Sequence, residues 1–467
     1  MLTFHDHVRA AAGLRRRQFL RVGGLALGGL TLSDWFAVRA FAKEQKLPMK
    51  DKSVIFLFMH GGPSQFETFD PKMEAPAGIR SATGEVKTTI PGVTFGGTLG
   101  KLARLAHKFS VVRSFVTGDG NHDIKPIMGK DTVGANLGSL YARVAGSLRA
   151  DTAMPTNVML FPRAVNAEAG PAISSFGNFE AVGDLGMTYS PFVPGTGKDL
   201  QQDMRLSLPQ ERLNDRRALL AAIDAWKRWT DTSPTLEGLN GFQEQAFDTL
   251  LRGVSDAFDL SKEDPKVLAR YDTAPLVPKD RISKVWNNHR HYADHAATLG
   301  KLLLLARRLC ERGCGFVTVT TSFVWDMHAD INNATMTEGM DYVGVPFDHA
   351  VSAFIEDVEA RGLRDKILLV CCGEMGRTPM INQNGGRDHW GNLAPLMLYG
   401  GGLKMGQVIG QSSPNGGEPA SEPVTIPDLI ATIMHVLLDV GEVRVTSGLP
   451  KNLVDAITRG EPIKGLI

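Results

Sequence analysis

Six short runs are apolar almost throughout and end in glycine or polar residues: "KSVIFLFMHGG", "FSVVRSF", "NVMLF", "GFVTVTT", "DKILLV" and "APLMLYGGG". Strands that are apolar on both sides belong to a sheet covered on both faces. Between them lie stretches with apolar residues three and four apart: "RRALLAAIDAWKRW", "FQEQAFDTLLRGVSDAF", "HAATLGKLLLLARRLCERG", "FDHAVSAFIEDVEARGL" and "TIPDLIATIMHVLL". That spacing predicts amphipathic helices. Strands alternating with helices predict an α/β fold with a mostly parallel central sheet and helices on both faces. The helical stretches crowd between about residues 205 and 310, which reads as a helical insertion in one domain running from 43 to 467. Gly362 ends one helix, and Thr425, Pro427 and Asp428 have the character of a helix start.

The chain has 467 residues, 43% hydrophobic and 22% charged, as in an ordinary globular protein. A net charge of +1 gives no electrostatic case for binding nucleic acid. No internal stretch of about 20 apolar residues exists, so no membrane span is expected in the mature chain. The N-terminus, "LRRRQFLRVGGLALGGLTLSDWFAVRAFA", carries Arg16 and Arg17, then Phe19 and Leu20, then a Gly/Leu/Ala-rich run. It is similar to a twin-arginine (Tat) export signal, with Ala40-Phe41-Ala42 as the cleavage site. The expectation is that residues 1–42 are removed after passage through the Tat translocase, leaving a periplasmic or cell-surface protein. Four cysteines, Cys310, Cys314, Cys371 and Cys372, are too few for a disulfide-built fold and read as buried or singly paired thiols.

Ligands and metals bind at the carboxyl ends of the strands in open α/β sheets. The loop after "DKILLV" is "CCGEMGRTPMINQNGGRDHW", with Glu374, Arg377, Arg387, Asp388 and His389. "FMHGGPSQ" places His60 and Ser64 after the first strand, with a glycine turn whose amides suit an anion. "FVWDMH" brings Asp326 and His328, and "FVTGDGNHDIKPIMG" brings Thr117, Asn121 and His122. Singly each has a plain structural reading. His60 suits a hydrogen-bonded turn, Asp326 an Asx turn, Glu374 a buried ion pair with Arg377 or Arg387, and Asp388 a partner that orients His389. Jointly, strand ends converging on one edge favour a site. His289, His291 and His295 in "WNNHRHYADH" read as surface or packing residues.

"FDHAVSAFIEDVEARGLRDKILLVCCGEMG" and "VTIPDLIATIMHVLLDVG" resemble segments of the sulfatase and alkaline phosphatase superfamily. "HGGPSQFETFDPK", "FVWDMH", "GEMGRTP" and "GGRDHW" resemble, more narrowly, the marks of the domain of unknown function family numbered 1501, over essentially the whole mature chain. The resemblance implies an alkaline-phosphatase-like fold and a metal-dependent hydrolase of phosphate or sulfate esters. It implies metal ligands at His60, Asp326, His328, Glu374, Asp388 and His389. Mixed nitrogen and oxygen ligands suit Zn, Mn or Fe better than Ca. His60 stands where the superfamily has an Asp, and Glu374-Met375 where it has Asp-His. Gly118 stands at the nucleophile position with Thr117 beside it, and no sulfatase Cys/Ser-Pro-Arg motif occurs. Thr117 is then the candidate nucleophile and His122 a general acid or base, or a ligand. Arg377 is the candidate catalytic clamp on the anion, with Ser64, Asn121 and Arg387 as further substrate contacts. The implied substrate is a small anionic ester or a sulfated or phosphorylated polymer. The alternative is a non-catalytic exported binding or scaffold protein that keeps the fold.

Overall fold

Ser53–Phe58 forms a strand in which every residue is buried, and its side chains alternate between two cores. Ile55 and Leu57 join one cluster; Val54, Phe56 and Phe58 join the other. Each such side chain withdrawn from water stabilises the fold by roughly 1.5–3 kcal/mol. The structure, a computed structural model, describes residues 48–149, 151–195 and 254–467. The expected leader 1–42 and residues 205–253 of the expected insertion lie outside the described residues.

In chain order the strands are β1 (Ser53–Phe58), β2 (Glu85–Lys87), β3 (Thr94–Gly96), β4 (Phe109–Val112), β5 (Asn157–Leu160), β6 (Phe316–Thr320), β7 (Ile367–Cys372), β8 (Gly376–Arg377), β9 (His389–Trp390), β10 (Leu396–Gly400) and β11 (Val408–Ile409). The described α-helices are α1 (Gly100–Leu105), α2 (Leu137–Ala145), α3 (Ser255–Phe258), α4 (Pro265–Tyr271), α5 (His289–Glu311), α6 (Met336–Ala360), α7 (Ile426–Leu437), α8 (Val440–Val445) and α9 (Lys451–Thr458). The main sheet has seven strands in the order β11-β4-β10-β7-β1-β6-β5. All its pairings are parallel except those of β10, which runs against β4 and β7. Helices α5 and α6 cover one face; α2 and α7 cover the other. This is the expected α/β architecture, a mostly parallel sheet with helices on both faces.

Local chemistry sets the helix ends. Asp428 Oδ2 accepts from Thr425 N at 2.9 Å and from Thr425 Oγ1 at 2.7 Å, a cap that opens α7. Gly362, at φ +67, turns the chain out of α6, and Leu363 N donates back to Val358 O at 2.9 Å. Helix α6 begins at Met336, a full three turns before the periodic stretch at Phe347, with Pro346 inside it. Helix α5, at the end of the expected insertion, packs on the same sheet face as α6. Its His295 is buried, with Nδ1 2.8 Å from Thr321 Oγ1 and Nε2 3.2 Å from Val343 O. All four cysteines are buried and unpaired. No helix among the described residues is long and apolar enough to cross a membrane.

The register places the site. Phe58 pairs with both Thr320 and Cys372, so β1, β6 and β7 end level. Leu396, the first residue of β10, pairs with Cys372 and with Val112, the last residue of β4. The chain therefore leaves β1, β4, β6 and β7, and enters β10, at one edge of the sheet.

Candidate metal centre

Beyond β1, Gly61 takes φ +115, and a Cβ there would come within 2.6 Å of Asp326 N. Only glycine allows the loop after β6 to lie this close. His60 O accepts from Val324 N at 3.2 Å and Trp325 N at 3.1 Å, which fixes that loop against the end of β1. Asp326, 6% exposed, is thereby held at the mouth of the sheet. The segment before β10 arrives as β9, whose His389 pairs with Arg377 of β8. The loop after β4 supplies His122.

Four side chains meet there. A donor atom from each of His122, Asp326, His328 and His389 lies within 4.8 Å of the others. Asp326 Oδ1 stands 2.8 Å from His328 Nε2 and 3.4 Å from both His122 Nε2 and His389 Nε2. His328 Nε2 and His389 Nε2 are 2.7 Å apart. A tetrahedral nitrogen/oxygen site with bonds of about 2.0–2.1 Å has ligand–ligand edges of about 3.3–3.4 Å. Two of the observed edges have that length and two are shorter. His122 Nε2 is buried without a well-formed hydrogen bond, 3.4 Å from Asp326 Oδ1. The donor set fits a divalent ion.

Outer carboxylates turn two of the rings. His122 Nδ1 lies 3.1 Å from Glu374 Oε1. With an ion on Nε2, the neutral ring would keep its proton on Nδ1 and donate it to Glu374. His328 Nδ1 lies 3.3 Å from Asp388 Oδ1, which would take its proton in the same way once an ion occupied Nε2. Burial lowers the His122 pKa, but the Asp326 and Glu374 carboxylates outweigh it and the net shift is upward. Burial lowers that of His389, with Arg377 and His122 adding to the effect against Asp326. Burial alone would raise the Asp326 carboxyl; the Arg377 guanidinium and the three imidazoles instead hold it well below the usual range.

The family follows from the sequence that carries this geometry. A profile described as "Protein of unknown function (DUF1501)" matches residues 51–467. The chain belongs to that family. No curated protein matches it. Among solved structures, this DUF1501 chain is similar to the PsFucS1 sulfatase from Pseudoalteromonas sp., at 13% identity and TM-score 0.30, covering 91% of this chain and 72% of that one. It is similar to the phosphonate monoester hydrolase of Agrobacterium radiobacter, at 11% identity and TM-score 0.32, covering 89% and 79%. It is also similar to the alkaline phosphatase from the Antarctic bacterium TAB5, at 12% identity and TM-score 0.30, covering 84% and 98%.

The other anticipated residues fall around this DUF1501 centre in different places. Glu374, fully buried, accepts from Gly61 N at 2.9 Å as well as facing His122, so it stands behind the ligand group and has neither Arg377 nor Arg387 as its partner. Asp388 pairs with His328, not with His389. His60 lies 1% exposed among the rings of Phe58, Phe176, Phe179 and Phe323, outside the four, and burial pushes its pKa down to about 4. Thr117 points its hydroxyl at Gly391 O, 3.4 Å away. Ser64 Oγ donates to Glu67 Oε2. Asn121 is exposed, and its backbone N–H donates to Asp119 Oδ1 at 2.9 Å.

Neither guanidinium presents a free fork. Arg377, fully buried, donates to Gly61 O, Gly62 O, Arg387 O and Asp326 Oδ1. Arg387, also fully buried, pairs with Glu67 at 3.1 Å and donates to Thr378 O, Pro379 O, Ile79 O and Arg80 O. Its guanidinium lies 4.2 Å over the Phe66 ring. Glu67 is the participant that sequence reasoning passed over, although it stands inside the motif "HGGPSQFETFDPK".

Proposed function

We propose that this chain is an exported, metal-dependent hydrolase of phosphate or sulfate esters. The carrying observation is the meeting of three imidazole Nε2 atoms and one carboxylate oxygen at the edge where parallel strands end. His122, Asp326, His328 and His389 would hold the ion, and this nitrogen-rich set suits Zn, Mn or Fe better than Ca. A bound ion would supply Lewis acidity, polarising an ester oxygen and acidifying water. The chain's own residues supply orientation and shielding. With an ion bound, Glu374 and Asp388 would hold the protons on the outward Nδ1 atoms of His122 and His328. Phe176 and Phe323 stack 4.6 Å apart beside His122 and keep water from that flank. The substrate in this reading is a small anionic ester or a sulfated or phosphorylated polymer. Export by the Tat route to the periplasm or cell surface rests on Arg16, Arg17 and the apolar run after them.

One observation favours a second reading, an exported binding or scaffold protein without turnover. Arg377 and Arg387 direct their donors into the protein, and the Thr117 hydroxyl faces a carbonyl, so an ester anion finds neither a free fork there nor an activated hydroxyl. Metal analysis of protein purified without chelator, with turnover of p-nitrophenyl phosphate and p-nitrophenyl sulfate, decides between them. Stoichiometric transition metal with chelator-sensitive turnover supports the hydrolase. Metal without turnover supports the second reading, and protein lacking metal even after incubation with Zn²⁺ or Mn²⁺ removes the hydrolase.

A further inference from the structure

Asp326 already has a cation. Arg377 Nη2 lies 2.7 Å from Asp326 Oδ1, the same oxygen that the three imidazoles face. The other oxygen, Oδ2, accepts from Asn333 Nδ2 at 3.1 Å. Arg377 cannot swing aside without loss. Nε donates to Gly62 O at 2.7 Å, Nη1 to Arg387 O at 3.2 Å, and Nη2 also to Gly61 O. Its backbone is clasped as well, with Arg377 N donating to Gln65 Oε1 at 2.9 Å and Gln65 Nε2 donating to Arg377 O at 2.8 Å.

We propose that Arg377 is the resident counter-cation of this centre: it keeps Asp326 paired while the chain is metal-free, and it weakens the hold on a divalent ion once one binds. The proposal rests on the metal reading above and adds a role for a residue outside the ligand group. A buried carboxylate without a partner is costly, and the guanidinium removes that cost when no ion is present. When an ion binds, two cations share one carboxylate oxygen in a poorly solvated place. Like charges repel there more than in water. The guanidinium and an ion would also compete for the same Asp326 oxygen. The centre is thus assembled before it is loaded, and it holds its ion less tightly than three histidines and a free aspartate would.

The test uses the full chain, Zn²⁺ alone and a competing chelator. Arg377→Met removes a cation from beside the ion and is expected to bind Zn²⁺ tighter by about 10- to 100-fold, the scale of like-charge repulsion between close charges at an effective dielectric between those of water and a protein surface. In excess chelator its Tm should fall below wild type, and saturating Zn²⁺ should close most of that gap. If wild type takes up no metal, the metal reading fails and this inference with it. If wild type binds Zn²⁺ and a folded Arg377→Met binds it equally or more weakly, the counter-cation role alone is overturned. If Arg377→Met does not fold, the double variant Asp326→Asn/Arg377→Met decides. Recovery of the fold shows that the pairing with Asp326 is what metal-free folding needs. Failure of both shows that Arg377 serves the carbonyls only, and overturns the proposal.

Discussion

The Glu374 carboxylate accepts the Gly61 amide from the turn after β1 and faces the His122 imidazole from the loop after β4, so it couples two strand ends to the orientation of a candidate ligand. Glu374→Gln keeps the shape but no longer fixes the His122 tautomer. Zn²⁺ affinity is expected to drop about 10- to 100-fold with the saturating stoichiometry unchanged. Chelator competition measures it, and an unchanged affinity would exclude the orienting role. Glu67 makes the contrasting case. It and Arg387 are both fully buried. Glu67→Gln strands a buried guanidinium and should cost roughly 3–5 kcal/mol in denaturant unfolding, while metal content stays at the wild-type value. Asp326 and His328 stand out in the sequence because they follow an apolar run, and His389 because it lies between two such runs in the motif "GGRDHW". The pairing of Glu67 with Arg387 has no such signal, because the two are 320 residues apart and neither lies in a periodic segment.

Apolar runs told where strands lie but not which way they point. The run "APLMLYGGG" reads like its neighbours, yet β10 is the one reversed strand of the main sheet. That reversal carries His389 to the edge where the other strands end. Helix α6 was legible only from Phe347 onward, because Pro346 resembles a helix boundary and the turns before it rest on tertiary packing. At the junction of α5, the loop after β6 and α6 sits His295, whose Nε2 donates to Val343 O and whose Nδ1 accepts from Thr321. Burial pushes its pKa down to about 4 from an ordinary 6.5. The folded state keeps it neutral while the unfolded chain takes up a proton below pH 6.5. Its contribution is therefore fully present above pH 6.5 and is lost as pH falls toward 4, by on the order of 3 kcal/mol. Urea midpoints measured from pH 7 to 4 should show this slope in wild type and less of it in His295→Gln. Equal slopes would remove the assignment.

At the scale of the whole chain, export is the property to test first. Replacing Arg16 and Arg17 together with Lys is expected to leave the protein in the cytoplasm with its N-terminal segment intact, read by fractionation and N-terminal sequencing. Wild-type exported protein that still carries Arg16 and Arg17 would contradict processing after residue 42. The strand order has a consequence for how such a protein is made. Strand β4, which leads to His122, joins the main sheet on one side only through β10, a strand synthesised much later. A ribosome-bound chain thus has His122 long before it can dock it, and β4 must wait for its partner. Distant pairings of this kind form late and slowly. The centre closes only when nearly the entire polypeptide has emerged, so a translation intermediate lacks the full ligand set, and any ion would load into the finished fold.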